Sequence, residues 1–166
     1  ERYIDVLRAT VRRYRKNVQE LGELAGVEVN AEVPHLDNDD TVLAQAGLAI
    51  KFNFDGKGAI GLNDGEASGG QQVLKSLILL VGLLKDDETP GGFVFIDEPF
   101  AHLDVANIDR VGSFLRATRA QYLITTPVTH NANIFAPSLL TLVTRKKKPG
   151  DNWAPPIGVI QRDTGA

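Results

Sequence analysis

Two acidic residues directly follow a short apolar run near the middle of the sequence, a position where carboxylates can do chemistry. The run FVFI, residues 93–96, is followed by Asp97 and Glu98. A continuous apolar run predicts a strand in a parallel sheet, and such sheets bind ligands at the carboxyl ends of their strands. Asp97 offers the oxygen ligands that suit Mg²⁺, and Glu98 is placed to orient or deprotonate an attacking water. The alternative is that the two acids only cap the next helix.

A second candidate site is the small-residue stretch Ser68–Gly70, which stands directly before a long apolar run. That run predicts a buried helix over 71–84, so the stretch lies at a helix N-terminus. Unpaired N–H groups and the helix dipole favour an anion there, and glycine allows a close approach. Together these features favour phosphate binding. The alternative is a plain glycine-rich turn with Ser68 as the N-cap.

The elements that must position these residues alternate between helix and strand. We predict helices at 71–84 and 105–119, and strands at 48–54, 93–96, 122–126, 139–144 and 157–161. Residues 55–58 predict a hairpin turn, and we interpret the acidic, proline-containing segment 28–40 as a loop. This order predicts an α/β fold with a parallel core.

The first 25 residues predict one long helix with an apolar seam at spacings of three and four. The seam residues are Ile4, Leu7, Val11, Tyr14, Val18, Leu21 and Ala25. This spacing is typical of a coiled coil, although an amphipathic helix lying on a globular body is the alternative. Since no other segment repeats the pattern, we expect the partner helix to come from elsewhere. We therefore divide the chain into a coiled-coil helix, residues 1–26, and a lobe, residues 27–166.

Composition excludes several classes of protein. The chain has 166 residues and a net charge of −3, so composition alone does not suggest a nucleic-acid binder. It contains no cysteine, which excludes a disulfide framework and a thiolate metal site. No apolar run reaches the roughly 20 residues of a membrane span, and no secretory signal opens the chain. We expect a cytoplasmic protein without a membrane partner. The absence of methionine, even at position 1, predicts a fragment, a processed product or one half of a split protein.

The motifs taken together resemble those of the ABC ATPases. ASGGQ, residues 67–71, resembles the signature motif, FVFIDE resembles the Walker B strand, and AHLD, residues 101–104, resembles the D-loop. The helix after ASGGQ and the run DEPFAHLDVANIDRV, which includes Asn107, are similar to the heads of SMC-like proteins. The resemblance covers roughly residues 1–130. It implies the C-terminal lobe of an ABC-type head, with a mostly parallel sheet flanked by helices and a coiled-coil root helix before it.

The resemblance also implies roles for the residues and two cofactors, ATP and Mg²⁺. Ser68, Gly69 and Gly70 would grip the γ-phosphate of an ATP bound to a second head, and Gln71 would lie at the edge of that site. Asp97 would support Mg²⁺ and Glu98 would be the catalytic base. Asp104 would run along the interface of an ATP-sandwiched dimer.

The sequence departs from this family pattern in two places. It contains no GxxxxGK[ST] phosphate loop, so we expect the N-terminal half of the same head to supply one. Only the completed head would then be an ATPase, and this chain alone would be inactive. The switch histidine is the second departure, because Pro127 stands at its usual place and His130 follows three residues later. Whether Pro127 is natural there or His130 substitutes is left open.

The resemblance implies ATP-driven handling of DNA in chromosome organisation, repair or plasmid defence, in a nucleoid-associated protein. The basic positions of residues 8–16 could meet DNA, although an exposed helix explains them equally well. Two other functions stay open. One is an ABC transporter subunit, against which the heptad helix argues. The other is a non-catalytic head-dimerisation module, which the missing phosphate loop favours.

Overall fold

The computed structural model describes residues 2–54, 59–61, 69–85, 92–127, 138–144, 146–152 and 157–162. Four helices and seven strands lie in these ranges. In chain order they are α1 (Arg2–Leu24), β1 (Val27–Glu32), α2 (Asp40–Gln45), β2 (Ala49–Phe54), β3 (Ala59–Gly61), α3 (Gly69–Leu84), β4 (Phe93–Asp97), α4 (Val105–Ala117), β5 (Gln121–Thr125), β6 (Leu140–Thr144) and β7 (Ile157–Arg162). The predicted hairpin turn at 55–58 lies outside the described residues.

The described strands form three small sheets. Strands β1, β2 and β3 pair antiparallel in that order, and β6 pairs antiparallel with β7. Strands β4 and β5 pair parallel, with Phe93 opposite Gln121 and Asp97 opposite Thr125. The predicted α/β class is therefore confirmed, and among the described strands the parallel pairing belongs to β4 and β5.

The interpretation of residues 28–40 as a loop is wrong in its first part, because Val27–Glu32 forms β1. Burial alternates along this strand, with Val27, Val29 and Ala31 buried and the residues between them exposed. The acidic side chains that suggested a loop therefore lie on the solvent face of a half-buried strand. A short helix, α2, begins further along this segment, capped by the Asp39 side chain.

Helix α1 lies on the body of the chain. Val18 and Leu21 are 0% and 2% exposed and belong to the core, together with residues of β1 and α3. The two helices approach closely, since a Cβ on Gly82 of α3 would lie 2.8 Å from Val18 Cγ1. The expectation that the seam takes its partner from elsewhere is therefore wrong at Val18 and Leu21. The role of residues 1–26 as a coiled-coil root, with 27–166 as the lobe, stays a prediction.

The core fills the space between α1, α3, α4 and the β1–β2 pair. Phe52 and Phe54 of β2 stack with ring centroids 6.3 Å apart and are fully buried, as is Phe114 of α4. Helix α3 is buried on one side only, since Leu80 and Leu83 are 41% and 69% exposed. The predicted buried helix is therefore confirmed on one side, where Leu74, Leu77, Ile78 and Val81 lie in the core. No helix in the described ranges is long and apolar enough to cross a membrane.

Candidate functional site

The two acidic residues lie where the sequence predicts, at the carboxyl end of the parallel pair. Asp97 is the last residue of β4, Glu98 follows it, and both side chains are exposed. Thr125, the last residue of β5, lies opposite Asp97. The Thr125 hydroxyl donates to Asp97 Oδ1 and accepts from the Glu98 N–H at 3.0 Å. The Asp97 carboxylate and the Glu98 N–H therefore meet at one hydroxyl at this sheet end.

The backbone turns sharply at Glu98, whose φ is +48°. This left-handed conformation is uncommon for a residue with a Cβ and persists where the surroundings hold it. Here the Glu98 N–H also donates to the Thr125 carbonyl at 3.1 Å, and the Glu98 carbonyl accepts from the Ala101 N–H at 3.3 Å. Phe100, 4% exposed, anchors the turn in the core.

The helix after the turn is capped by a different acid. The Asp104 carboxylate accepts from the Asn107 N–H at 2.8 Å, and its carbonyl accepts from the Ile108 N–H at 3.0 Å. This is the geometry of an N-cap. The alternative interpretation, in which Asp97 and Glu98 cap the next helix, is therefore wrong. Their carboxylates are left for another role.

The glycine pair opens α3 and lies against the start of α4. A Cβ on Gly70 would lie 2.3 Å from Asn107 Oδ1, and one on Gly69 would lie 3.3 Å from Leu103 Cδ2. The first turn of α3 and the turn after β4 are therefore neighbours within one chain. Gln71 lies in the same first turn and is half-buried. Its placement leaves the predicted role untested.

Two of the predicted site residues, Ser68 and His130, lie outside the described residues. Pro127 is described and half-buried, two residues after β5. The choice between Pro127 and His130 at the switch position therefore stays open. The N-capping alternative for Ser68 is likewise untested.

Sequence reasoning missed the contacts of Thr125 and Asn107. Thr125 was assigned only to a strand, and Asn107 only to a motif. No spacing in the sequence signals either contact, because Thr125 lies 28 residues from Asp97 along the chain. The parallel register of β4 and β5 brings Thr125 to Asp97, and helix packing brings Asn107 to Gly70.

The site has the chemistry of a partial metal site. Within the described ranges, no cluster of three or more His, Asp or Glu side chains could hold a metal ion by itself. Mg²⁺ commonly takes one or two carboxylates and completes its shell with water and substrate phosphates. Asp97 fits such a site as a single ligand, with Oδ1 already oriented by the Thr125 hydroxyl.

Comparisons with solved structures bear on the fold. A chain from a structural study of ATP-driven dimerization and DNA-stimulated activation of SMC ATPases superposes with a TM-score of 0.67 at 21% identity, covering 95% of this chain and 89% of that one. The Smc head domain with a coiled coil and joint from Pyrococcus yayanosii superposes with a TM-score of 0.61 at 20% identity, covering 90% of this chain and 26% of that one. A third structure is the Smc head domain with an extended coiled coil from Pyrococcus furiosus, bound to the C-terminal domain of ScpA. It superposes with a TM-score of 0.57 at 23% identity, covering 79% of this chain and 31% of that one.

At the level of sequence, no protein-family model and no curated protein matches the chain. The structural likeness nevertheless defines the class: the chain has the fold of part of an SMC ATPase head. It spans less than a third of the two Pyrococcus chains. The predicted resemblance to an SMC-like head is thus confirmed as a fold.

Proposed function

We propose that this chain is the C-terminal half of an SMC-like ATPase head, which hydrolyses ATP when an N-terminal half supplies the phosphate loop. One observation carries the proposal. The Asp97–Glu98 pair ends a parallel strand and caps nothing, in a chain with the fold of part of an SMC head. The carboxyl end of a parallel strand is where an α/β protein binds its ligands, so two acids that do not cap a helix there are candidates for ligand binding.

The chemistry follows from what each residue offers. Asp97 would hold Mg²⁺ directly or through water, and the ion would neutralise charge on the ATP phosphates. Glu98, next to it and exposed, takes a proton from the water that attacks the γ-phosphate. The strained backbone at Glu98 fixes the direction in which that side chain leaves the turn.

A second head completes the site. We assign Ser68, Gly69 and Gly70 to the γ-phosphate of an ATP bound by the opposite head, with Gln71 beside them. The Asp104 carboxylate already accepts the Asn107 N–H. We assign Asp104 to the interface of the ATP-sandwiched dimer, where this bond would hold its carboxylate in place. The solved SMC ATPases for which ATP-driven dimerization is described support this arrangement.

The N-terminal half has a surface to cover. Phe93, Phe95 and Leu123 are 59%, 56% and 52% exposed, and all three lie on the β4–β5 pair. Parallel strands are normally covered on both faces, and here Val94 is buried on the other face. An apolar patch of this kind marks an interaction surface. We assign it to the half of the head that carries the phosphate loop.

The cellular task we propose is ATP-driven handling of DNA. Arg12, Arg13 and Arg15 of α1 are exposed and would supply contacts with phosphates. The fold favours this task over a transporter subunit, since the solved chains compared above are SMC heads. A non-catalytic dimerisation module is the second candidate, favoured by the missing phosphate loop.

The test combines this chain with the N-terminal segment of the natural protein and measures ATP hydrolysis. We expect activity to arise on mixing and to fall by about 100-fold or more with Glu98→Gln, because the general base is lost. Gel filtration with ATP should then show a persistent dimer. Glu23→Gln, at an exposed position of α1, is the matched control and should retain activity.

Each negative result has a separate meaning. Full activity with Glu98→Gln would remove the catalytic role from that residue. Absence of both ATP binding and hydrolysis on mixing would leave the dimerisation module as the function.

A further inference from the structure

One hydroxyl group joins the two acidic residues at the end of β4. Thr125 Oγ1 donates to Asp97 Oδ1 and accepts from the Glu98 backbone N–H at 3.0 Å. The Thr125 carbonyl accepts from the same N–H at 3.1 Å. The side chain and backbone of a single residue on the neighbouring strand therefore contact both Asp97 and Glu98.

The contact between Thr125 and Glu98 holds a strained turn of the backbone. With φ at +48°, Glu98 adopts a conformation that L-residues rarely take. Such a backbone persists only where its surroundings hold it. The two bonds that the Glu98 N–H donates to Thr125 fix this N–H, and therefore the point at which the glutamate side chain leaves the backbone.

The contact with Asp97 bears on the orientation of a carboxylate. Asp97 is exposed, so its side chain would rotate freely without a partner. The donated hydrogen bond engages Oδ1 and so restricts that rotation. The second oxygen, Oδ2, is then directed by the first, as outer hydrogen bonds orient the ligands of metal sites.

We propose that Thr125 is a positioning residue, which holds Asp97 and Glu98 in the geometry that ATP hydrolysis requires. This inference rests on the proposed function and deepens it. The proposed role belongs to the hydroxyl of Thr125 and not to the shape of its side chain. Valine tests this distinction, because it has nearly the same shape without the hydroxyl. Serine keeps the hydroxyl and loses the methyl group.

The first experiment measures steady-state ATP hydrolysis by the completed head against the concentrations of ATP and Mg²⁺. We expect Thr125→Val to lower kcat and to raise the Mg²⁺ concentration for half-maximal activity, each by about 10-fold to 100-fold. KM for ATP should change by less than about twofold, because the hydroxyl is not assigned to ATP binding. Thr125→Ser should restore both values, and Thr144→Val, at the end of β6, should match the unchanged protein.

The second experiment needs no ATPase activity. Amide hydrogen exchange in this chain should be faster at Glu98 in Thr125→Val than in the unchanged protein, because one acceptor of that N–H is lost. Thr125→Ser should keep the slow rate. If Thr125→Val does not fold, Thr125→Ala also lacks the hydroxyl and has the same expected results.

Three results would overturn the inference: unchanged kcat and Mg²⁺ dependence in Thr125→Val, a Thr125→Ser variant as impaired as Thr125→Val, or equal exchange rates at Glu98. Failure of the proposed function looks different. The unchanged head would then hydrolyse no ATP, and the exchange rates alone would decide whether Thr125 positions the turn.

Discussion

At the scale of single residues, Gly70 is the point at which the first turn of α3 meets α4. A Cβ there would lie 2.3 Å from Asn107 Oδ1 and 2.7 Å from Asn107 Cβ. The Oδ1 atom could rotate away, but the Cβ atom is fixed to the α4 backbone. At Gly69 the contact would be 3.3 Å to the flexible end of Leu103. The two neighbouring glycines therefore differ in what they tolerate.

We expect Gly70→Ala to lower the free energy of unfolding by about 1–3 kcal/mol, because the added methyl group forces α3 away from α4. Gly69→Ala is the matched control and should cost less. Adding Asn107→Ala to Gly70→Ala should recover part of the loss, since it removes two of the three contacts. Urea denaturation of the four proteins measures this, and equal stability of the two alanine variants would contradict the packing argument.

At the scale of elements, α1 supports the C-terminal end of α3. The Tyr14 hydroxyl donates to the Leu79 carbonyl at 3.0 Å, and Asn17 Nδ2 donates to the Gly82 and Lys85 carbonyls at 3.1 and 2.9 Å. The last carbonyls of a helix lack partners within it. Asn17, 3% exposed, supplies a donor to one of these, the Gly82 carbonyl, and to the Lys85 carbonyl directly after the helix. Lys85 also donates to Glu20 of α1, and this bond lowers the pKa of the Glu20 carboxyl.

We expect Asn17→Leu to lower the free energy of unfolding by about 1–3 kcal/mol, because a carbonyl is left buried without a donor. Thr10→Val is the control on the same helix. It removes an exposed hydroxyl that donates to the Val6 carbonyl within α1, and should change stability by less than about 0.5 kcal/mol. Chemical denaturation measures both variants. If Asn17→Leu and Thr10→Val lower the free energy of unfolding equally, the hydrogen bonds of Asn17 contribute no more to stability than the bond of an exposed side chain.

At the scale of the whole molecule, the described part of the chain leaves an apolar face of a parallel pair open. Phe95 lies opposite Leu123 on this face and both are more than half exposed. A charge placed there costs little in the isolated chain, since the position meets water. It costs much once another segment covers the face, because a buried charge without a partner is strongly unfavourable.

We therefore expect Phe95→Lys to change the stability of this chain by less than about 0.5 kcal/mol and to weaken binding of the N-terminal half by at least about tenfold. Leu142→Lys, at a position 51% exposed on β6, is the matched control and should bind normally. Calorimetric titration with the N-terminal half measures both. Normal binding by Phe95→Lys would mean that another surface receives that half.

Much of the arrangement around the acids was predictable from the sequence. The continuous apolar run at 93–96 indicated a strand in a parallel sheet, and strand β4 ends with Asp97 in a parallel pair. The long apolar run after the glycines indicated a helix, and α3 begins at Gly69. These predictions succeeded because periodicity and local composition act within a single element.

Strand β1 and the partner of the α1 seam were not predictable, because both depend on contacts between segments that are distant in the sequence. Strand β1 was interpreted as a loop because Glu28 and Glu32 are acidic, and only pairing with β2 decides that they lie on a solvent face. The seam of α1 matched a coiled coil, and only the packing of α3 shows what covers Val18. A seam specifies an apolar partner and not its identity.

The sequence by itself determined the order of helices and strands from 49 onward, apart from β3, and the position of Asp97 and Glu98 at a strand end, because these depend on neighbouring residues. Only the tertiary structure decided which acid caps α4, which hydroxyl contacts Asp97 and which side chain lies against Gly70. Those contacts join residues far apart in the chain. They are set by strand register and helix packing, which no local pattern encodes.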